Sequence, residues 1–111
     1  FFSPMPGLDK ADATDPDYQK AYQKYNGGAG DDIGFALWGA EKLLSAQLQG
    51  AGKDLSRQSY VNATKGKSFT TGVYNTVNYA NSRFGGTATH ALEVDCSKQQ
   101  YVTQFVNKSS F

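Results

Sequence analysis

The stretch DDIGFALWGAEKLLSAQLQGAG, residues 31–52, decides the fold. Asp31 and Asp32 supply carboxylates to the unpaired N–H groups and positive dipole of a helix start. Ile33, Ala36, Leu37, Ala40, Leu43, Leu44 and Leu48 then recur at helical spacing and draw one broad apolar face. Gly50 and Gly52 end the run. The pattern predicts an amphipathic helix with that face buried. A helix of this kind needs a second layer to lie on.

Working outward, DATDPDYQKAYQKYNGG (12–28) predicts a shorter helix. Thr14 or Asp15 caps it, Pro16 suits its first turn, and Gly27 and Gly28 stop it. Tyr18, Tyr22 and Tyr25 fall at i, i+4 and i+7 on one side. Downstream, Ser56 is placed as an N-cap with Leu55 and Tyr60 flanking it as a hydrophobic staple. A third helix follows to about Lys65, before Gly66. From Gly72 the period changes from helical to alternating. Val73, Asn75, Val77 and Tyr79 alternate with Tyr74, Thr76 and Asn78; His90, Leu92 and Val94 alternate with Ala91, Glu93 and Asp95; Tyr101, Thr103 and Phe105 begin a third extended run. The prediction is a β-meander over the last third. FFSPMPG at the start reads as the end of a buried strand entering a Pro-Gly turn, and two leading phenylalanines lead us to expect further sequence upstream. Three helices and a small ribbon make an awkward domain alone, because a three-stranded meander must lay its apolar face on something.

Composition narrows the function. Eleven basic against ten acidic side chains leave a net charge of +1 over 111 residues. No stretch gathers Lys and Arg into the stripe that nucleic-acid binding needs, so no nucleic-acid partner is expected. The apolar runs are only a few residues long, far from the ~20 that span a bilayer. One cysteine, Cys96, and one histidine, His90, are too few for a zinc cluster, so no metal is expected. Cys96 is either a free thiol or the partner of a cysteine upstream. His90 has no serine or cysteine at an interpretable spacing, so we expect a half-buried strand residue and no catalysis. GGAG at 27–30 precedes a helix but lacks the Lys-Ser/Thr ending of a phosphate loop, so it reads as a linker and no cofactor is expected. The seven tyrosines invite a glycan-binding reading, but the helical spacing of Tyr18, Tyr22 and Tyr25 favours packing.

Three phrases in order, AYQKY, FALWGAEKLLSAQLQGAGKDLSRQSYVNA and FTTGVYNTVNYANSRFGG, resemble the C-terminal third of the type I periplasmic binding proteins that feed branched-chain amino-acid ABC transporters. The likeness spans nearly the whole chain. Its most telling pieces are Ala51-Gly52-Lys53-Asp54-Leu55-Ser56-Arg57, similar to the family phrase AG-x-DL-[ST]-R, and Phe69-Thr70-Thr71-Gly72-Val73, similar to F-x-TGV. Arg83-Phe84-Gly85 departs from the H-x-G turn frequent in the family, which bears on turn detail more than on function.

The resemblance implies an α/β fold: the late segment of a type I periplasmic-binding-protein lobe, completed by upstream sequence. Residues 1–71 would be the helical lobe segment, and 72–111 the short antiparallel meander and hinge. It implies an extracytoplasmic, periplasmic or surface-anchored solute-binding protein with no chemistry of its own. Such a protein catches an amino acid or amide between two lobes and delivers it to an ABC permease. It also implies that Ile33, Phe35 and Trp38, at the start of the long helix, lie near the apolar end of the ligand; packing within the lobe is the plainer alternative for all three. A ligand-sensing regulator or receptor domain on the same fold, or an independent small α+β module binding a protein or glycan, is the competing expectation.

Overall fold

Asp15 starts the first long helix in the computed structural model, which describes residues 1–107. Its Oδ1 accepts from the Asp17 N–H at 3.2 Å, Pro16 sits in the first turn, and α2 runs Pro16–Asn26. Gly27 then takes φ 73°, a left-handed conformation that favours glycine, and its N–H closes on the Gln23 carbonyl. All of this follows the sequence reading. The turn before it does not: a 3-10 turn at Leu8–Lys10 runs into α1, Ala11–Thr14. These turns are too short to show a period. Contacts distant in sequence hold them, because Gly7 N–H donates to Thr103 Oγ1 at 2.9 Å and Asp9 Oδ1 accepts from Thr103 N–H at 3.0 Å and from its hydroxyl at 2.8 Å.

Helix α3 spans Asp32–Ala51 and is capped by Asp31, whose Oδ1 accepts from Gly34 N–H at 2.6 Å. Helix α4, Arg57–Thr64, opens on a reciprocal capping box between Ser56 and Ser59. It packs back on α3, with the Tyr60 hydroxyl donating to Gln47 Oε1 at 2.6 Å.

The helices stand where expected, but the covered face of α3 does not. Its buried residues are Phe35, Gly39 and Gln47, whereas Ile33 is 73% exposed, Leu37 65% and Leu44 49%, with Leu48 and Ala40 exposed as well. Shape explains the reversal. Gly39 has no side chain, so Val73 and Tyr74 lie directly against the helix: a Cβ at residue 39 would meet Val73 Cγ1 at 2.8 Å and Tyr74 at 3.0 Å. The Tyr74 hydroxyl donates to the Ala36 carbonyl, and the Tyr18 ring tilts onto Phe35 at 5.1 Å. Met5, Ala11, Tyr18, Phe35 and Val73 form the core that results.

The expected strand over 73–79 is a second correction. Gly72 takes φ 82° and Thr71 Oγ1 accepts from the N–H groups of Val73 (3.2 Å) and Tyr74 (3.0 Å). That side-chain turn takes up the donors a ladder would need. What remains is a two-stranded ribbon, β2 (Ser68–Phe69) against β3 (Val77–Asn78). The main sheet also differs from a simple meander. Its order is β1 (Phe2–Ser3), β4 (Thr89–Asp95), β5 (Gln100–Asn107), all antiparallel, with a register shift between Ala91 and Leu92. The N-terminal strand is real, but Phe1 and Phe2 are both exposed and only Ser3 faces inward, so it is not the buried strand end that FFSPMPG suggested. Four helices and a small antiparallel sheet make a mixed α and β arrangement compatible with part of a domain.

Two glycines of α3 separate packing from propensity. Replacing glycine by alanine gains up to about 1 kcal/mol of propensity in a helix interior, and Gly50→Ala, one residue from the end of α3, should realise part of it because its Cβ meets only Ala63 at 3.6 Å. Gly39→Ala should instead destabilise by about 1–3 kcal/mol through overpacking against Val73. Denaturant unfolding of the two variants should move the midpoint in opposite directions.

Candidate functional site

The best-organised polar cluster grows from the Asp15 cap. Asp15 is buried, and its second carboxylate oxygen, Oδ2, accepts from Trp38 Nε1 at 3.1 Å and from the Lys42 ammonium. Trp38 and Lys42 stand four residues apart on α3, on adjacent turns of one side, so a single carboxylate ties the start of α2 to the middle of α3. Burial works to raise the Asp15 pKa, but the hydrogen bonds from Lys42, Trp38 and Asp17 and the Lys42 charge outweigh it and hold the group below the ordinary carboxylate value. Beside the cluster, Trp38, Glu41, Lys42, Gln49 and Thr71 line a polar hollow of about 400 Å³.

A second concavity lies between the start of α3 and the sheet. Ile33, Ala36 and Leu37 form one wall, and Phe1, Met5, Leu92 and Tyr101 the other, around about 290 Å³. The Phe1 and Tyr101 rings stack at 5.4 Å. The lining is apolar apart from the buried Ser3 and Asp32 at the helix start, whose pKa is raised by burial and by the neighbouring Asp31 charge. Such a groove suits an aliphatic or aromatic group whose polar end lies toward the first turn of α3.

Of the residues singled out in the sequence, Ile33 lines this groove, Phe35 is fully buried in the core against Tyr18, and Trp38 belongs to the Asp15 cluster and the polar hollow. The structure therefore does not bring the three together in one cavity. Sequence reasoning named Asp15 as a cap but missed its bonds to Trp38 and Lys42, because 23 and 27 residues separate the partners. The one available signal was a Trp and a Lys at i and i+4, which places Trp38 and Lys42 on one side of the helix. Among the described residues, no three His, Cys, Asp or Glu side chains gather as a metal site, and Cys96 is free and exposed. No described helix is long and apolar enough to cross a membrane. No protein-family model matches the chain, no curated protein matches it in sequence, and no solved structure matches it in fold.

The cluster sets an acid limit on stability. A carboxyl whose folded pKa is depressed stabilises the fold above its unfolded pKa of about 3.9 and loses that contribution as pH falls through the folded value. Stability should therefore fall steeply below about pH 4 in the parent and less steeply in Asp15→Asn. At neutral pH the same substitution should cost about 1.5–3 kcal/mol, the range for hydrogen bonds to a charged group. Thermal unfolding across acid pH reads both effects.

Proposed function

We propose that the chain is the late section of an extracytoplasmic solute-binding protein of the type I class, completed by upstream sequence and serving an ABC permease. On this reading it captures a small polar solute, such as an amino acid or amide, without chemical change. The observation that carries the reading is the uncovered stripe of α3. Ile33, Leu37, Ala40, Leu44 and Leu48 run along one side of a 20-residue helix and face solvent. Exposed apolar stripes of this length mark contact surfaces, and the apolar face of a β-sheet is the layer that an α/β lobe lays against such a helix.

The groove at the start of α3 gives the reading its ligand chemistry. Its apolar walls, with Ile33 and Leu37 on the helix side, fit an aliphatic or aromatic side chain. Ile33 is the one of the three residues named from the resemblance that such a ligand would touch there.

The test uses the complete polypeptide that carries these residues. Branched-chain or aromatic amino acids, or small amides, should raise its Tm by mass action, by the equivalent of about 2.7 kcal/mol at a hundredfold excess over Kd. Ile33→Ala should weaken the affinity by roughly 1–2 kcal/mol through lost apolar contact. A solute panel that leaves Tm unmoved would overturn the reading.

A further inference from the structure

A cavity of about 750 Å³ lies between α4 and the loop 79–83. Arg57, Tyr60 and Val61 line it from one side of the helix, at i, i+3 and i+4, and Lys65 continues that side at the helix end. Tyr79 and Arg83 line it from the loop. Backbone bonds tie the two walls together: Gly66 N–H donates to the Tyr79 carbonyl at 3.1 Å, and Tyr79 N–H donates to the Lys67 carbonyl at 2.8 Å. The Tyr79 ring also meets Phe69 edge to face at 6.3 Å, which holds that wall in place.

Charge says what the cavity attracts. Residues 53–92 carry five basic side chains and one acidic, Asp54. The five are scattered in sequence, but the fold brings Arg57, Lys65 and Arg83 to this one cavity, and no Asp or Glu lines it. All three are exposed, so an arriving ligand reaches them. Among the described residues none of the three is paired with a carboxylate, whereas Lys10, Lys20, Lys42 and Lys98 each are. Like charges held around one cavity repel, and an anion among them relieves that repulsion.

The lining narrows the anion. Two of the cations are arginines, whose planar fork matches two oxygens of one phosphate. A phosphate monoester carries about −1.5 to −2 at neutral pH, nearer to balancing three cations than the single charge of a carboxylate. The volume falls within the roughly 300–1,000 Å³ of small-molecule sites and is far more than phosphate alone fills. The Tyr60 hydroxyl is committed to Gln47, so Tyr60 offers its ring, and Tyr79 offers a second aromatic surface on which a flat ring can stack.

We propose that this cavity binds a phosphate ester bearing a flat ring, the chemistry of a nucleoside monophosphate, with Arg57, Lys65 and Arg83 on the phosphate and Tyr60 and Tyr79 along the ring. None of Ile33, Phe35 and Trp38 lines the cavity, so the site neither rests on the solute-binding reading nor falls with it.

The test is an NMR titration of the 15N-labelled full chain with adenosine monophosphate, compared with adenosine and with inorganic phosphate at matched ionic strength. The proposal predicts saturable shifts at Arg57, Val61 and Arg83, and tighter binding of the ester than of either part. Arg83→Gln, on the exposed loop, should weaken the ester about tenfold, equivalent to roughly 1.4 kcal/mol, and Arg57→Gln should do the same from the helix side. Lys53→Gln removes the same charge outside the cavity and should leave the affinity unchanged. Shifts that do not saturate would overturn the site, as would adenosine or inorganic phosphate binding as tightly as the ester. So would affinity retained in both arginine variants, or lost equally in Lys53→Gln. An affinity for single-stranded oligoadenylate that climbs with its length would assign the surface to nucleic acid and overturn the small-ligand site as well.

Discussion

Because residue 39 has no side chain, the turn at 71–74 lies directly on α3, and the rest of the packing follows from that contact. Val73 enters against Gly39, Tyr74 reaches the Ala36 carbonyl, and Phe35 is closed in beneath Tyr18. The helix is thereby rotated so that its most compact side is covered and its leucine side is not. Asp15 fixes the same arrangement from the other end of the core, since its carboxylate joins the cap of α2 to Trp38 and Lys42. Close approach at a glycine and one shared carboxylate hold together segments that have little else in common.

The exposed stripe is the consequence. On the general scale of roughly 25 cal/mol per Å² of apolar surface removed from water, leaving Ile33, Leu37 and Leu44 open forgoes a substantial part of what a 20-residue amphipathic helix can contribute. An exposed apolar stripe of this length on a helix marks a contact surface. This supports the proposal that a sheet outside these residues completes the lobe, and the groove at the start of α3 would then lie at the edge between the covered and uncovered faces.

How much of this was legible in the sequence depended on the range of the interaction. Caps and stops are local, so Asp15 with Pro16, Asp31, Ser56 and Gly27 located the three long helices closely. Strands were read less well. The alternation at 73–79 was genuine as a pattern, but Thr71 and Gly72 turned the chain there, and the two-residue β1 pairs with β4 across nearly the whole chain. The choice of the buried face of α3 failed for a related reason. Hydrophobicity favoured the leucines, whereas the covered side was selected by the small size of Gly39 and by partners that lie more than thirty residues away. Of the candidate site, Ile33 was expected both on the buried face of α3 and near a ligand; it is exposed and lines the groove at the start of α3, while the Asp15 cluster depends on contacts that no local pattern shows.

The central claim, that α3 is a middle layer, is tested most directly by thiol accessibility along its open stripe. In a Cys96→Ser background, single cysteines at Leu37 and Leu44 are reacted with a maleimide, once in the 111-residue chain and once in the complete polypeptide, with Val61→Cys on α4 as an exposed reference. The account predicts that both stripe positions react like the reference in the chain alone and become strongly protected in the complete, folded polypeptide. Reaction at Leu37→Cys and Leu44→Cys as fast as at Val61→Cys in the complete polypeptide would contradict it.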